Sequence, residues 1–436
     1  MNKTISRFPH GTVTAPPSKS IMHRAVICAA LGGGDFTLPR VSDDIDATVR
    51  CMRALTATKP DLTGVGADED DEKLAEAARL RASVVTVDCG ESGSTLRFLI
   101  PIALAMRSVP SFTMTAAAAA PHIVFTGRGR LLERPMKPFL DELERHGAMV
   151  WQGPESITIS GCLRPGDYEL HGDVSSQFVS GLLFALPLLG GSSRLHLASP
   201  LESAAYVDLT LDALQNAGIE IERDGDDFIV RGNQRYTATA VTAEGDFSQA
   251  AFFLAAAALG RDVRCAGLSL DSRQGDAQIL AILQELGFEI ELSNTIRVLP
   301  QKGQISRRNR RILPIDLDVS GIPDLVPPLA ALLCTADGTS RLYNAARLRM
   351  KESDRLEAVK SALNSIGADI EIEDDALVIY GVSGLLGGTV DAQGDHRIAM
   401  MAAVAALRAD KPVTIKGAEC VSKSYPDFWR DFEVRA

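Results

Sequence analysis

One pattern recurs six times along the 436 residues and narrows the possible folds more than any other feature. A short run rich in Gly, Ser and Asp opens an apolar stretch dominated by Ala and Leu, which closes near a Gly and leads into a strand-like segment. The openings are Pro17-Ser18-Lys19-Ser20, Cys89-Gly90-Glu91-Ser92-Gly93-Ser94, Gly172-Asp173-Val174-Ser175-Ser176-Gln177, Glu244-Gly245-Asp246-Phe247-Ser248, Ser320-Gly321-Ile322-Pro323-Asp324 and Gly394-Asp395-His396-Arg397. Their spacing of roughly 70 to 80 residues exceeds a solenoid period and suits a small α/β unit. Between openings lies a second stretch with helical periodicity, as in Lys137 to His146, Val207 to Ala217, Ala277 to Leu286 and Asp354 to Ile366. Each of these meets a Gly, the usual helix stop, and a pair of strands follows: Met149 to Ser160, Ile219 to Val230, Phe288 to Leu299 and Ile370 to Tyr380.

The unit is therefore β-α-β-α-β-β, and the fold class is α/β. Its first helix is apolar nearly all round and belongs inside a domain; the second is amphipathic and lies between sheet and solvent. A chain of this length exceeds what one core usually serves, so six units divide three and three. The sixth unit stops at Phe432 without its final strands, while Ile5 to Thr14 precedes the first opening. That N-terminal strand is expected to complete the last unit. One domain then comprises residues 1–18 and 243–436, the other is the insert 19–242, and the expected active site lies in the cleft between them. The crossovers fall near Pro17-Ser18 and Thr242-Ala243.

Composition removes several function classes. With 46% hydrophobic and 23% charged residues the chain is globular rather than disordered, and a net charge of -11 argues against nucleic acid as partner. Basic clusters within an acidic chain point instead to small anions drawn into a focused site. Met1 to Arg7 lacks an apolar signal core, and runs such as Ala251 to Leu259 are too short to cross a membrane. The seven cysteines are scattered, odd in number and without a Cys-x-x-Cys pair, and the seven histidines lack metal spacing. No metal is expected, and the expected compartment is the cytoplasm.

The chemistry-bearing residues cluster at the openings. Lys19 and Ser20 stand at a helix start with Arg24 one turn on, an arrangement suited to an anion, although two surface cations beside a cap read the same way. Ser175, Ser176 and Gln177 offer two hydroxyls and an amide at another helix start; Gly93 permits close approach of a ligand to backbone, with Arg97 one turn later. Arg128, Arg130 and Arg134 make a cation-rich loop. Asp324 opens an apolar helix, where an acid also serves as a dipole partner. His396 reads as a hydrogen-bonded structural residue. Most unusual is Arg347-Leu348-Arg349-Met350-Lys351-Glu352-Ser353-Asp354-Arg355. Leu356, Val359, Leu363 and Ile366 start a helix capped by Ser353 or Asp354, so the cations crowd the end of a helix that favours anions. Something negative belongs there, unless the run is a solvated turn.

Taken in chain order, Pro-x-Ser-Lys-Ser with Arg24, Arg134-Pro135, Gly-x-Val-Ser-Ser-Gln, Ile-Pro-Asp, Lys-Glu-x-Asp-Arg and Asp-His-Arg-x-Ala-Met resemble the 5-enolpyruvylshikimate-3-phosphate (EPSP) synthase family over essentially the whole chain. The resemblance implies the enolpyruvyl transferase inverse barrel, two domains of three units each. It implies transfer of the enolpyruvyl group of phosphoenolpyruvate to the 5-hydroxyl of shikimate 3-phosphate with release of phosphate, in aromatic amino acid biosynthesis, by a monomer without cofactor. Carried over by motif, Lys19, Ser20 and Arg24 meet shikimate 3-phosphate, the latter two at its carboxylate; Ser175, Ser176 and Ser203 hold its phosphate, with Tyr206 beside the ring, and Arg347 and Lys351 join them. Gln177 lies between the substrates. Gly93, Arg134, Arg355, Arg397 and Lys423 hold phosphoenolpyruvate, with Lys19 shared. Asp324 is implied as base on the 5-hydroxyl and Glu352 as acid at the methylene, with Lys351 assisting. The chain departs from the commonest family pattern at Glu91, Ser94, Pro17 and Arg347, where Asn, Thr, Gly and, in some members, Asn stand. Glu91 adds a carboxylate near the phosphoenolpyruvate residues, which weakens anion binding unless a cation neutralises it. UDP-N-acetylglucosamine enolpyruvyl transferase shares the repeat but carries a cysteine loop with no counterpart identified here. A non-catalytic anion-binding protein would leave Asp324 and Glu352 idle.

Overall fold

The computed structural model describes residues 1–38, 41–57, 84–107, 122–300 and 312–433. They form two compact units, Met1–Lys19 with Ala243–Ala436, and Ser20–Thr242. Four of the five sheets repeat one topology. In the insert these are Val85–Asp88, Ile123–Thr126, Ala148–Gln152 and Ser156–Gly161, then Asp167–His171, Ser193–Ser199, Ile221–Asp224 and Asp227–Val230. The first two strands of each run parallel, the second also pairs antiparallel with the fourth, and the third closes a hairpin on the fourth. Asp316–Asp318, Thr339–Tyr343, Asp369–Glu373 and Ala376–Tyr380 repeat this in the discontinuous unit.

The N-terminal segment departs from expectation. It is two strands in two sheets rather than one strand over Ile5 to Thr14. Asn2–Ile5 pairs antiparallel with Val413–Lys416, which itself runs parallel to Gly388–Asp391, so these residues do complete the last unit. Gly11–Thr14 instead runs parallel to Val263–Ala266 and supplies the fourth unit's first strand. The break falls at Phe8-Pro9-His10, where Pro9 has no amide hydrogen for a ladder.

The helices after the openings are buried as their sequence demands. Every residue of Phe247–Ala258, Val326–Leu333 and His396–Ala405 is buried, and the three pack on one another at the centre of the discontinuous unit. With no polar stripe to turn toward water, each can be stable only with protein on all sides; a fully buried Leu or Phe contributes about 1.5–3 kcal/mol. In the insert Gly93–Ala105 packs against Ser176–Ala185. The amphipathic helices Lys137–Arg145, Ala204–Asn216, Ile279–Glu285 and Arg355–Asn364 fall within a few residues of the predicted spans.

Four of the six openings supply side-chain caps: Ser92, Ser175, Asp246 and Asp395 each accept a backbone amide from the first turn that follows, as Asp354 does ahead of Arg355–Asn364. Where the chain leaves the discontinuous unit and re-enters it, Ser18 donates its amide to the Glu244 carbonyl at 2.7 Å, Asp246 donates to the Pro16 carbonyl at 2.8 Å, and Pro17 bridges Gly245.

Candidate active site

In the insert, two groups of residues come together. Gly172 has no side chain because a Cβ there would lie 2.7 Å from the Ser199 carbonyl and 2.9 Å from the Leu201 Cα. This contact, with the Glu202 amide on the Gly172 carbonyl at 3.2 Å, seats the Ser175-Ser176 turn beside Ser203. All three serines are buried, and Ser203 holds the left-handed conformation at φ 56°. Arg24 ties the Lys19–Leu31 helix to Ala204–Asn216: its guanidinium donates to the Thr210 hydroxyl at 2.9 Å and to the carbonyls of Ser20 and Tyr206 at 2.6 and 2.5 Å. Burial lowers its pKa to about 10, still fully charged at neutral pH.

The second group surrounds Gly93. A Cβ there would come within 2.8 Å of the Arg134 guanidinium, so only glycine lets that cation rest on the helix start. Gln177 donates to the Ser94 hydroxyl at 2.8 Å and accepts from Arg97 at 2.7 Å, while Arg97 stacks over Phe178. Glu91 is exposed, and its carboxylate rests on the Gly129 turn between Arg128 and Arg130. The cations that flank this turn are Arg128 and Arg130.

The discontinuous unit holds the denser cluster, centred on Arg355, which is 1% exposed. Its guanidinium donates to Asp395 at 2.9 and 3.3 Å, to Asp324 at 3.0 Å and to Glu352 at 2.7 Å. Arg397 donates to the other Asp324 oxygen at 2.8 Å and to its carbonyl at 3.2 Å. The Lys351 ammonium stands 3.9 Å from Asp324, and that of Lys423 lies 3.5 Å from Glu352. Asp395, wholly buried, caps the His396–Ala405 helix and also accepts from Ser353 at 3.0 Å. Arg349 turns away to Asp354 and the Asp374 carbonyl, both at 3.1 Å, and Arg347 is half-buried near Lys351. Lys19 gives its backbone amide to the Asp246 carboxylate at 2.9 Å. The crowding of cations is thus balanced by five acids, Asp324, Glu352, Asp354, Asp395 and Asp246, the last two of which sequence reading took only as members of openings.

These neighbours set the protonation states. Burial alone would raise the Asp324 carboxyl, but Arg397, Lys351 and Arg355 outweigh it and hold the group well below the usual carboxylate range. Burial pulls the Lys351 ammonium down to about 8, with Arg355 and Arg347 adding to the fall and Asp324 opposing it. Asp276, behind the cluster and bonded to the Ser248 hydroxyl, is pushed up to about 7 by burial and then by Asp324. His396 departs from expectation: neither ring nitrogen finds a hydrogen-bond partner among the described residues, and burial with nearby Lys19 and Arg397 keeps it neutral. Among the described residues no group of His, Cys, Asp and Glu is arranged to hold a metal ion, and no helix is long and apolar enough to cross a membrane.

The profile of the EPSP synthase (3-phosphoshikimate 1-carboxyvinyltransferase) family matches residues 5–432. The chain belongs to the EPSP synthase family. A 3-phosphoshikimate 1-carboxyvinyltransferase of Clostridium kluyveri is 44% identical over 430 residues, 97% of this chain and 94% of the relative. One from Clostridioides difficile is 40% identical, again over 97% and 94%. Among solved structures, an EPSP synthase from Acinetobacter baumannii superposes with a TM-score of 0.69 at 24% identity over 99% of this chain and 98% of the other. An enolpyruvyl transferase, NikO from Streptomyces tendae, gives 0.67 at 16% identity over 99% and 96%. These two likenesses establish the enolpyruvyl transferase fold. Within an EPSP synthase the expected site residues fall into two sets, each assembled inside one unit: Ser20, Arg24, Gly93, Arg134, Ser175, Ser176, Gln177, Ser203 and Tyr206 in the insert, and Lys19, Asp324, Arg347, Lys351, Glu352, Arg355, Arg397 and Lys423 in the discontinuous unit. Residues beyond that expectation are Asp395, which carries Arg355, and Arg97, which orients Gln177. Their signals were an acid opening a helix and a cation one turn beyond a glycine.

Proposed function

We infer that this protein transfers the enolpyruvyl group of phosphoenolpyruvate to the 5-hydroxyl of shikimate 3-phosphate by addition and elimination through a tetrahedral intermediate. Addition forms the C–O bond while one proton reaches the methylene carbon and another leaves the hydroxyl; elimination reverses the carbon proton transfer as phosphate departs. The observation that carries the reading is the pair of carboxylates, Asp324 and Glu352, held by the buried Arg355 guanidinium with Arg397, Lys351 and Lys423 against them. Asp324 takes the hydroxyl proton, and Glu352 delivers a proton to the methylene carbon and takes one back in the elimination. In the free protein Asp324 is a poor base, because Arg397, Lys351 and Arg355 all face it. An incoming phosphate and carboxylate draw those cations away and raise its basicity at the moment it is needed. Ser175, Ser176 and Ser203 hold the shikimate phosphate, Ser20 and Arg24 its carboxylate, and Tyr206 lies along the ring; Gly93, Arg134, Arg355, Arg397 and Lys423 hold phosphoenolpyruvate. Gln177, Lys19, Arg347 and Lys351 complete the set. The reaction on this reading requires residues of both units. Both substrates are small anions handled by a cytoplasmic monomer.

The test is phosphate release from phosphoenolpyruvate by the purified protein. Release is expected with shikimate 3-phosphate and not with UDP-N-acetylglucosamine; release with the nucleotide sugar alone overturns the reading, and binding without turnover leaves an anion-binding protein.

A further inference from the structure

The loop Ser272-Arg273-Gln274-Gly275-Asp276 carries no residue of the proposed chemistry, yet its polar side chains are spent on one short segment. Gln274, 7% exposed, donates from its side-chain nitrogen to a Glu244 carboxylate oxygen and to the Gly245 carbonyl, both at 2.8 Å. Its side-chain oxygen accepts the Phe247 amide at 3.1 Å. Ser272 donates to the same Glu244 oxygen and accepts the Gln274 amide at 3.1 Å, and Asp276 accepts from the Ser248 hydroxyl. Residues 244, 245, 247 and 248 are thus each gripped by the loop.

That segment in turn grips another. The Glu244 carbonyl accepts the Ser18 amide at 2.7 Å, the Asp246 amide donates to Pro16 at 2.8 Å, and the Asp246 carboxylate accepts the Lys19 amide at 2.9 Å. Between the loop and Lys19 lies one layer of backbone. The chemistry of position 274 is narrowly set. Two donors must meet a carboxylate and a carbonyl while an acceptor meets an amide hydrogen, which a primary amide does and which neither a carboxylate nor an ammonium can. A buried donor without its partner carries the full penalty of desolvation, so the segment cannot shift without loss.

We propose that Gln274 is a positioning residue for Lys19, holding the 244–248 segment so that the lysine at the start of the first helix is fixed where both substrates meet it. This rests on the function inferred above. It assigns no contact between Gln274 and substrate; the residue acts through Asp246 and the Pro16–Lys19 backbone. Displacement of a substrate-positioning group by about 1 Å lowers rate on the order of 10²-fold.

The test is a cycle in the full chain with Lys19→Ala, Gln274→Ala and the double variant, reading kcat/KM for shikimate 3-phosphate. Gln274→Ala is expected to lower it by roughly 10-fold or more, and the double variant to match Lys19→Ala within about 2-fold, since a residue acting through another adds nothing once that other is gone. Losses that multiply overturn the proposal, because a general loss of fold integrity multiplies. Gln274→Glu keeps the size and the acceptor for Phe247 but presents an acceptor to Glu244 and Gly245, and should show the same pattern if Gln274→Ala does not fold. Amide hydrogen exchange of Ser18, Lys19 and residues 244–248 in the ligand-free protein gives a readout without turnover. Faster exchange confined to those positions in either variant supports the coupling; unchanged exchange at Ser18 and Lys19 ends it. If the parent releases no phosphate from the substrate pair, the functional reading fails while the exchange experiment still decides the coupling.

Discussion

Glu352 and Arg355 stand three residues apart, share a hydrogen bond of 2.7 Å, and should behave quite differently when replaced. Glu352→Gln preserves the shape and a partner for Arg355 but removes a proton donor, so kcat should fall on the order of 10²-fold with little change in either KM. Solvent exchange into the methylene hydrogens during turnover should fall with it; a variant that exchanges like the parent would move the acid role to Lys351. Arg355 read from sequence as a binding cation whose loss raises the phosphoenolpyruvate requirement. Its burial against Asp395, Asp324 and Glu352 shows it is also an internal counter-ion. Lys351 sets a pH limit. Its free-protein pKa near 8 means that its charge is present below that value and lost above it. We expect kcat/KM for phosphoenolpyruvate to decline as pH rises through about 8, and Lys351→Arg to carry the limb upward.

At the scale of elements, the starts of the buried helices combine capping with charge storage, and Asp395 shows how much depends on one such residue. It caps His396–Ala405, takes two bonds from Arg355 and one from Ser353. Asp395→Ala should destabilise by about 3–5 kcal/mol, because it leaves the Nε edge of a buried guanidinium without its carboxylate, Asp324 and Glu352 holding only the other nitrogens, as well as losing a cap. Urea unfolding would measure this; a loss under about 1 kcal/mol would mean Arg355 finds water instead. Asp276 gives a different signature. Its carboxyl is raised, so its contribution is fully present below the unfolded value near 3.8 and lost as pH rises through about 7. Relative to Asp276→Asn, the parent should therefore lose thermal stability between pH 4 and 7, seen as converging or crossing Tm values. Elements of this kind were legible to different degrees. The apolar and amphipathic helices follow from periodicity alone. The site cations were visible as charges without obvious partners, but the identity of those partners was not, since Asp395 and Asp324 lie 40 and 31 positions from Arg355. The Ser272–Asp276 loop has neither periodicity nor clustered charge, and nothing marked it. The split of the N-terminal strand was missed because its two partners begin at Val263 and Val413, far beyond any local pattern.

The molecule as a whole is one unit written into the middle of another. Among the described residues, the core of the discontinuous unit runs continuously from Ile5, Val13 and Ala15 through Phe247 to Phe432. Its two crossovers are already hydrogen-bonded to each other at Ser18 and Glu244. Residues 1–19 joined through a few linker residues to 243–436 should accordingly fold cooperatively, with a single urea transition, and should bind phosphoenolpyruvate weakly without turning it over. A broad, non-cooperative transition would show that the insert supports this core.

The pairing of Asn2–Ile5 with Val413–Lys416 also fixes an order of events on the ribosome. The insert is continuous in sequence and has all its partners once residue 242 has emerged, whereas Asn2–Ile5 must wait, unpaired, for Val413–Lys416 far downstream. At translation rates of 5–20 residues per second that interval is roughly 20 to 80 s. During it an edge with open amides and carbonyls is exposed, and Lys3, a charged residue of that strand, is the kind that keeps such an edge from pairing with a neighbouring nascent chain.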